Sequence, residues 1–255
     1  MPLQIITVPC RTDNYAYILH APLTGLTAVV DAPEATPIID TLNERGWQLD
    51  FILITHHHND HIDAVAELRS KYGATVIGAE ADAHRLPDLD LRVHNGDTFS
   101  LGNVKVNVID VPGHTLGHIA FHIPSVKALF TADSLMALGC GRLFEGTPAQ
   151  MLTSLRTLAA LPGDTQVYSG HEYATTNAAF ALTVEPGNRN LQARAQKIKE
   201  ARDRGEPTVP SLLSEEKKTN PFLRADSAEI RQVLGMEDAP ALEVFTEVRQ
   251  RRNSF

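Results

Sequence analysis

Within the segment Thr55-His56-His57-His58-Asn59-Asp60-His61, four metal-ligand side chains (His56, His58, Asp60 and His61) fall within six positions. Imidazole nitrogen and carboxylate oxygen are the usual donors to zinc, iron and manganese. A lone histidine is usually structural, but that account fits a cluster of this density poorly. In a tight turn His56 and His58 project one way, while Asp60 and His61 project towards a neighbouring position. The segment therefore divides between two ions. His57 is expected to face away in a structural role.

Three further clusters complete a two-metal donor set. Val111-Pro112-Gly113-His114-Thr115 offers His114, Thr131-Ala132-Asp133-Ser134 offers Asp133, and Ser169-Gly170-His171-Glu172 offers His171. Singly, each could be a capped or hydrogen-bonded turn. Together with the first cluster they supply enough protein ligands for two ions, with a carboxylate to spare as a bridge and open positions for water. Among the other histidines, His118 is a candidate to support a ligand from behind. His20, His84, His94 and His122 read as ordinary surface or hydrogen-bonded residues.

These side chains need strands to aim them. Leu3–Val8, Tyr15–Leu19 and Ala28–Val30 read as short strands. Phe51–Ile54 is a continuous apolar run, as for a strand buried on both faces, and it leads straight into the histidine cluster. The alternation of Val104, Val106 and Val108 predicts a strand ending before Pro112, and Ala128–Thr131 and Gln166–Ser169 are two more. Each donor cluster thus lies just past the C-terminal end of a strand, where layered α/β folds build their sites.

The helices carry their own signals. Thr36-Pro37 predicts an N-cap followed by proline at the first helical position, with Gly46 as the stop. Ile62, Val65, Leu68 and Tyr72 share one helical face that ends at Gly73. Thr147 with Gln150 predicts a capping box and a helix to about Leu161. From about Tyr173 the chain becomes helical and charged, with helices expected near 188–204, 211–218, 227–234 and 240–252. Ser211 and Ser227 are their expected caps, Gly205 and Gly235 their stops, and Glu215–Lys218 reads as a solvated face. This gives a first domain over 1–172 and a helical subdomain over 173–255.

Composition excludes several classes. The chain has 255 residues, 43% apolar and 21% charged, which suits a packed globular protein. A formal charge of −8 argues against non-specific nucleic-acid binding. No run approaches the length of a membrane span, and the opening Met1–Ile6 lacks the basic start of a signal peptide. Two cysteines, Cys10 and Cys140, make no disulfide framework, so a cytoplasmic setting is expected. Cys140 reads as structural, and no serine or cysteine triad is evident.

THHHNDH, PGHT-x-GH, TADSL and SGHEY, in this order and spacing, resemble the metallo-β-lactamase superfamily. The resemblance implies its αββα sandwich. Residues 139–147 (GCGRLFEGT), 171–173 (HEY) and 219–224 (TNPFLR) narrow it to the glyoxalase II family, the hydroxyacylglutathione hydrolases, over essentially the whole chain. That resemblance implies that His56, His58 and His114 hold one ion, that Asp60, His61 and His171 hold a second, and that Asp133 bridges them. Zinc is the expected metal; histidine and carboxylate also suit iron or manganese. It further implies a helical substrate-binding domain over 173–255. Arg142 from the glycine-rich loop of the first domain, with Tyr173, Arg249 and Arg252 from the second, would grip glutathione, and Phe144 stands where some relatives carry tyrosine.

The implied chemistry is hydrolysis of S-(2-hydroxyacyl)glutathione, such as S-D-lactoylglutathione, to glutathione and a 2-hydroxy acid, the second step of methylglyoxal detoxification. Asp60 and Asp133 would be the catalytic carboxylates, and the partner a small glutathione thioester met by a cytoplasmic monomer. The rival readings are a lactonase or β-lactamase with the same metal pair, or a mononuclear iron persulfide dioxygenase. The latter class would lack a complete second site, whereas Asp60, His61 and His171 are all present.

Overall fold

The computed structural model describes residues 3–255. Met1 and Pro2, which open the segment read as lacking a signal peptide, lie outside the described residues. The chain divides into two compact units, one of residues 3–111 with 115–131, the other of residues 112–114 with 132–255.

The first unit begins with a six-stranded mixed sheet. Its elements are β1 (Gln4–Cys10), β2 (Asn14–His20), β3 (Thr27–Val30), α1 (Ala35–Arg45), β4 (Phe51–Leu53), α2 (Asn59–Ile62), α3 (Val65–Tyr72), β5 (Thr75–Ala79) and β6 (Leu91–Val93). The strands lie in sequence order, antiparallel from β1 to β3 and parallel from β3 to β6. β4 is a central parallel strand, which is why its sequence is an unbroken apolar run. Ile38 and Leu42 of α1 and Val65 and Leu68 of α3 pack on Val8, Ile18, Val29, Ile52 and Val76 of this sheet.

The same unit holds β7 (Thr98–Leu101), β8 (Val104–Asp110) and β9 (Ile119–Ile123) as an antiparallel meander continued by β10 (Ala128–Ala132). Tyr17 of β2 meets Phe130 of β10 with ring centroids 5.6 Å apart, so the two sheets face each other across aromatic packing. The last residue of β10, Ala132, falls in the second unit.

The second unit contains β11 (Leu135–Met136) and β12 (Gly139–Cys140) as a short hairpin, then α4 (Pro148–Ala159), β13 (Gln166–Ser169), α5 (Ala174–Val184), α6 (Arg189–Asp203), β14 (Ser211–Leu212), α7 (Leu213–Thr219), α8 (Ala228–Leu234) and α9 (Ala241–Ser254). The predicted Thr147/Gln150 capping box is present in full at the start of α4.

Several local expectations are corrected. α1 begins at Ala35 with Glu34 in the capping position, so Thr36 is not the cap and Pro37 occupies the first turn, where a missing N–H costs nothing. The helix after the histidine cluster is two pieces, α2 and α3. Ser211 lies in a strand, and its hydroxyl donates to Glu216 at 2.6 Å instead of capping α7. Ser227 is the N-cap residue of α8, as expected, but its hydroxyl donates to Glu185 and not to the helix. The run Glu215–Lys218 is not a uniformly solvated face, because Glu216 is fully buried. His122, expected at the surface or in a hydrogen bond, is buried in β9, and that burial lowers its pKa.

Candidate metal centre

In the first unit the histidine cluster leaves the C-terminal end of β4, and His58 caps α2 in extended conformation. The buried carboxylate of Asp31, just past β3, organises it from behind. Asp31 Oδ1 accepts the Thr55 N–H at 2.9 Å, and Oδ2 accepts the Thr55 hydroxyl at 2.8 Å. A hydroxyl that donates there accepts on its other side, so His56 Nδ1–H donates to Thr55 Oγ1 at 3.0 Å. His61 Nδ1–H donates to Asp31 Oδ2 at 2.8 Å. Both imidazoles are thereby held in the tautomer that leaves Nε2 as the lone-pair nitrogen.

Asp31, His56 and His61 carry ligand-type atoms within 4.8 Å of one another. The carboxylate is committed to Thr55 and His61 Nδ1, which casts Asp31 as an orienting residue and not a ligand. Asn14 donates through Nδ2 to both the side chain and the carbonyl of Asp60, each at 3.0 Å, and Asp60 Oδ2 lies 3.6 Å from His61 Nε2. His118 stacks on His56 at 4.6 Å, and its Nδ1 is bonded to the Ile119 carbonyl at 3.1 Å. His57 is bonded through Nδ1 to buried Asp82 at 3.2 Å, the structural role expected of it.

In the second unit Asp133 follows Ala132, whose φ of +40° is costly for a residue with a Cβ. The Gly170 N–H donates to the Ala132 carbonyl at 3.0 Å, which brings the end of β10 beside the end of β13 and so Asp133 beside His171. Asp133 Oδ1 lies 3.3 Å from His171 Nε2, and Oδ2 lies 3.4 Å from His114 Nε2. One buried carboxylate therefore turns each oxygen to a different imidazole. His114 Nδ1–H donates to the Arg142 carbonyl at 2.8 Å, again leaving Nε2 as the lone-pair atom. Gly141 is required at this point, since a Cβ there would stand 1.9 Å from the Asp133 carbonyl oxygen.

The donor chemistry fits divalent transition metals. His56, His61 and His114 present lone-pair Nε2 atoms fixed by hydrogen bonds at Nδ1, and Asp133 has the two-sided placement of a bridging carboxylate.

The second unit also gathers cations. Burial lowers the pKa of Arg252, and the nearby charges of Arg249 and Arg142 lower it further. Such crowding is relieved by an anion. Arg249 is buried, donates through Nη1 to the Cys140 carbonyl at 2.8 Å and lies 4.9 Å over the Phe222 ring. Arg252 donates through Nε and Nη2 to Asn177 Oδ1, both at 3.2 Å. Tyr173 stacks flat on His171 at 4.7 Å, and the Phe144 ring lies 5.2 Å from His114. Phe144 and Tyr173 are exposed aromatic surfaces beside ligand-type histidines.

The structure thus groups His56, His58, Asp60 and His61 in one unit and His114, Asp133, His171, Arg142, Phe144, Tyr173, Arg249 and Arg252 in the other. Sequence reasoning missed Asp31, Asn14 and Asn177. For Asp31 a signal existed, since it follows the apolar strand β3 just as the named donors follow theirs.

Comparison with known proteins agrees. The family described as metallo-β-lactamase superfamily matches residues 16–171, and that described as hydroxyacylglutathione hydrolase C-terminus matches residues 172–255. A hydroxyacylglutathione hydrolase of Ruegeria pomeroyi is 62% identical over 255 residues, covering 100% of both chains. Among solved structures, the BLEG-1 B3 metallo-β-lactamase is similar with a TM-score of 0.67 at 21% identity, covering 86% of this chain and 99% of that one. ETHE1 from Myxococcus xanthus is similar with a TM-score of 0.65 at 24% identity, covering 100% and 99%. These two likenesses show the metallo-β-lactamase fold. Full-length identity of this order, together with both family matches, shows that the chain belongs to the hydroxyacylglutathione hydrolase family, thioester hydrolases of the metallo-β-lactamase superfamily.

Proposed function

We propose that this chain hydrolyses S-(2-hydroxyacyl)glutathione, with S-D-lactoylglutathione as substrate and glutathione and D-lactate as products, the second step of methylglyoxal detoxification. The observation that carries this reading is that Arg249 donates to the carbonyls of Cys140 and Gly141 at 2.8 and 3.4 Å, immediately before Arg142 in the chain, with Arg252 close enough for their charges to act on it, in the unit that also holds Asp133 and His171. A glutathione thioester carries two carboxylates, for which guanidinium groups are suited partners.

In this reading His56, His58 and His114 would hold one ion and Asp60, His61 and His171 a second, with Asp133 between them. Zinc is the proposed metal, with iron or manganese suited to the same donors. Two such ions, when bound, would supply Lewis acidity and the activation of water near neutral pH. Asp60, steadied by Asn14, would orient the attacking water. Arg142, Arg249 and Arg252 would grip the glutathione carboxylates, Tyr173 would line the same pocket, and Phe144 would contribute its ring. As the new C–O bond forms the C–S bond breaks, and the sulfur leaves as a thiolate. A thiol pKa of about 8.5 makes a dedicated acid unnecessary.

The catalytic domain would span 1–172 and the substrate-binding helical domain 173–255, in a monomer acting in the cytoplasm without nucleic-acid or membrane partners. Among the described residues no helix is long and apolar enough to cross a membrane. The test is hydrolysis of S-D-lactoylglutathione measured beside a lactone and a β-lactam. Turnover of the thioester alone is expected; turnover of the lactone or β-lactam alone would replace this reading with one of its rivals.

A further inference from the structure

The β11–β12 hairpin links Asp133 to Arg142 and is buried along its whole length, with Met136, Ala137, Leu138 and Cys140 all under 7% exposed. Its turn is unfavourable by itself. Leu138 has a φ of +56°, which costs a residue with a Cβ, and the carbonyls of Met136, Ala137 and Gly139 point into protein and not water. Three distant side chains of the second unit satisfy it. Glu216 Oε2 accepts the Leu138 N–H at 2.9 Å. Asn220 donates through Nδ2 to the Met136 and Gly139 carbonyls at 3.1 and 2.9 Å. Asn177 donates to the Ala137 carbonyl at 3.0 Å.

Glu216 and Asn220 are both fully buried and are joined to each other at 3.1 Å. Glu216 is neutralised by Arg194 and accepts the Ser211 hydroxyl at 2.6 Å. This is a costly arrangement to maintain inside a protein, since removing one member strands a buried charge. It is not needed to pack α7, whose buried Leu213 would serve that end. What it holds is the hairpin, and the two ends of the hairpin are a carboxylate between two imidazoles and a carbonyl, that of Arg142, which fixes the tautomer of His114.

We propose that Glu216 and Asn220 are positioning residues for the metal centre, acting through the β11–β12 hairpin to fix Asp133 and the Arg142 carbonyl. The inference rests on the reading of Asp133 and His114 as metal ligands.

The test sets this network against a matched one. Glu185 is equally buried in the second unit and is bonded to Arg224, Ser227 and Asn188 instead of the hairpin. Glu216→Gln, Asn220→Ala and Glu185→Gln are compared in the metal-loaded protein by thermal unfolding and by metal retention against increasing dipicolinate. All three are expected to fold with lowered midpoints. Glu216→Gln and Asn220→Ala should surrender metal at a chelator concentration about tenfold to a hundredfold lower than wild type, while Glu185→Gln retains metal as wild type does. Asn220→Asp, which keeps the shape but offers acceptors where donors are needed, should behave like Asn220→Ala. Should Glu216→Gln fail to fold, Asn220→Ala decides, because it buries no new charge. Folded Asn220→Ala with wild-type retention, or equal metal loss in Glu185→Gln, overturns the proposal. Asp133→Ala is run alongside. If it keeps its metal, the ligand reading has failed and the inference with it; if it loses metal while Asn220→Ala does not, only the inference has failed.

Discussion

His61 donates its Nδ1–H to the Asp31 carboxylate at 2.8 Å, and the same carboxylate holds His56 through the Thr55 hydroxyl. One buried acid thus sets the tautomer of two histidines that the reading above gives to different ions. Asp31→Ala removes the bond that orients His61 and the anchor of the Thr55 hydroxyl that orients His56, while leaving every proposed ligand in place. Metal affinity should fall by about 10- to 100-fold, read by titration with a chelator. Unchanged affinity in a folded variant would show that Thr55 and the backbone suffice.

Asp133 turns its two oxygens to two imidazoles. Asp133→Ala should cost metal content and turnover together, because the cations would then face each other without the carboxylate between them. Elemental analysis is expected to find close to two ions per chain in the wild type and fewer in the variant. Asp60→Asn should deplete chiefly one ion and lower kcat, and unchanged turnover with a single ion bound would show that one metal performs the chemistry.

Of the three arginines proposed to grip substrate, Arg249 and Arg252 also hold the Cys140 carbonyl and Asn177, so Arg142 gives the cleaner test. Its grip on a glutathione carboxylate would be the same in substrate and transition state, so its loss should raise KM and spare kcat. A charge-assisted contact of about 1.5–3 kcal/mol corresponds to a rise of roughly tenfold to a hundredfold. Arg142→Ala should leave metal content unchanged and barely alter hydrolysis of a small thioester without carboxylates. A wild-type KM for the glutathione thioester would remove Arg142 from the pocket.

Glu185 carries a pH prediction. Burial raises its pKa, but bonds from Arg224, Ser227 and Asn188 outweigh burial and leave it below its ordinary value. A carboxyl whose folded pKa is depressed stabilises the protein above its unfolded pKa, about 4.3, and loses that contribution as pH falls through the folded value. Glu185→Gln should therefore be less stable than wild type at pH 7, with the gap narrowing below about pH 4. Urea unfolding at both pH values measures it, and a constant gap would refute the assignment.

The two cysteines should be silent in the folded protein. Burial pushes the Cys10 thiol up to about 12 and also raises that of Cys140, where Arg249 opposes it. At pH 8 a thiol reagent should find neither in the native state and two thiols in denaturant. A fast-reacting native thiol would contradict the burial of both.

The strand-end rule explains what could be read without coordinates. Donors at His56–His61, His114, Asp133 and His171 follow apolar runs directly, and adjacency along the chain survives folding, so their types, order and metal chemistry were legible in sequence. So were the capping box at Thr147 and the helix stops at Gly46 and Gly73, because each is a local interaction.

What only the tertiary structure decided is which side chains stand behind those donors. Asp31 reaches His61 across 30 residues, and Glu216 reaches Leu138 across 78. Nothing local distinguishes Glu216 from the solvated Glu215 beside it, and Ser211 read as a cap until β14 placed its hydroxyl on that same carboxylate. Burial and partner choice depend on which distant elements meet, and such pairings are energetic properties of the packed chain, not of any segment within it.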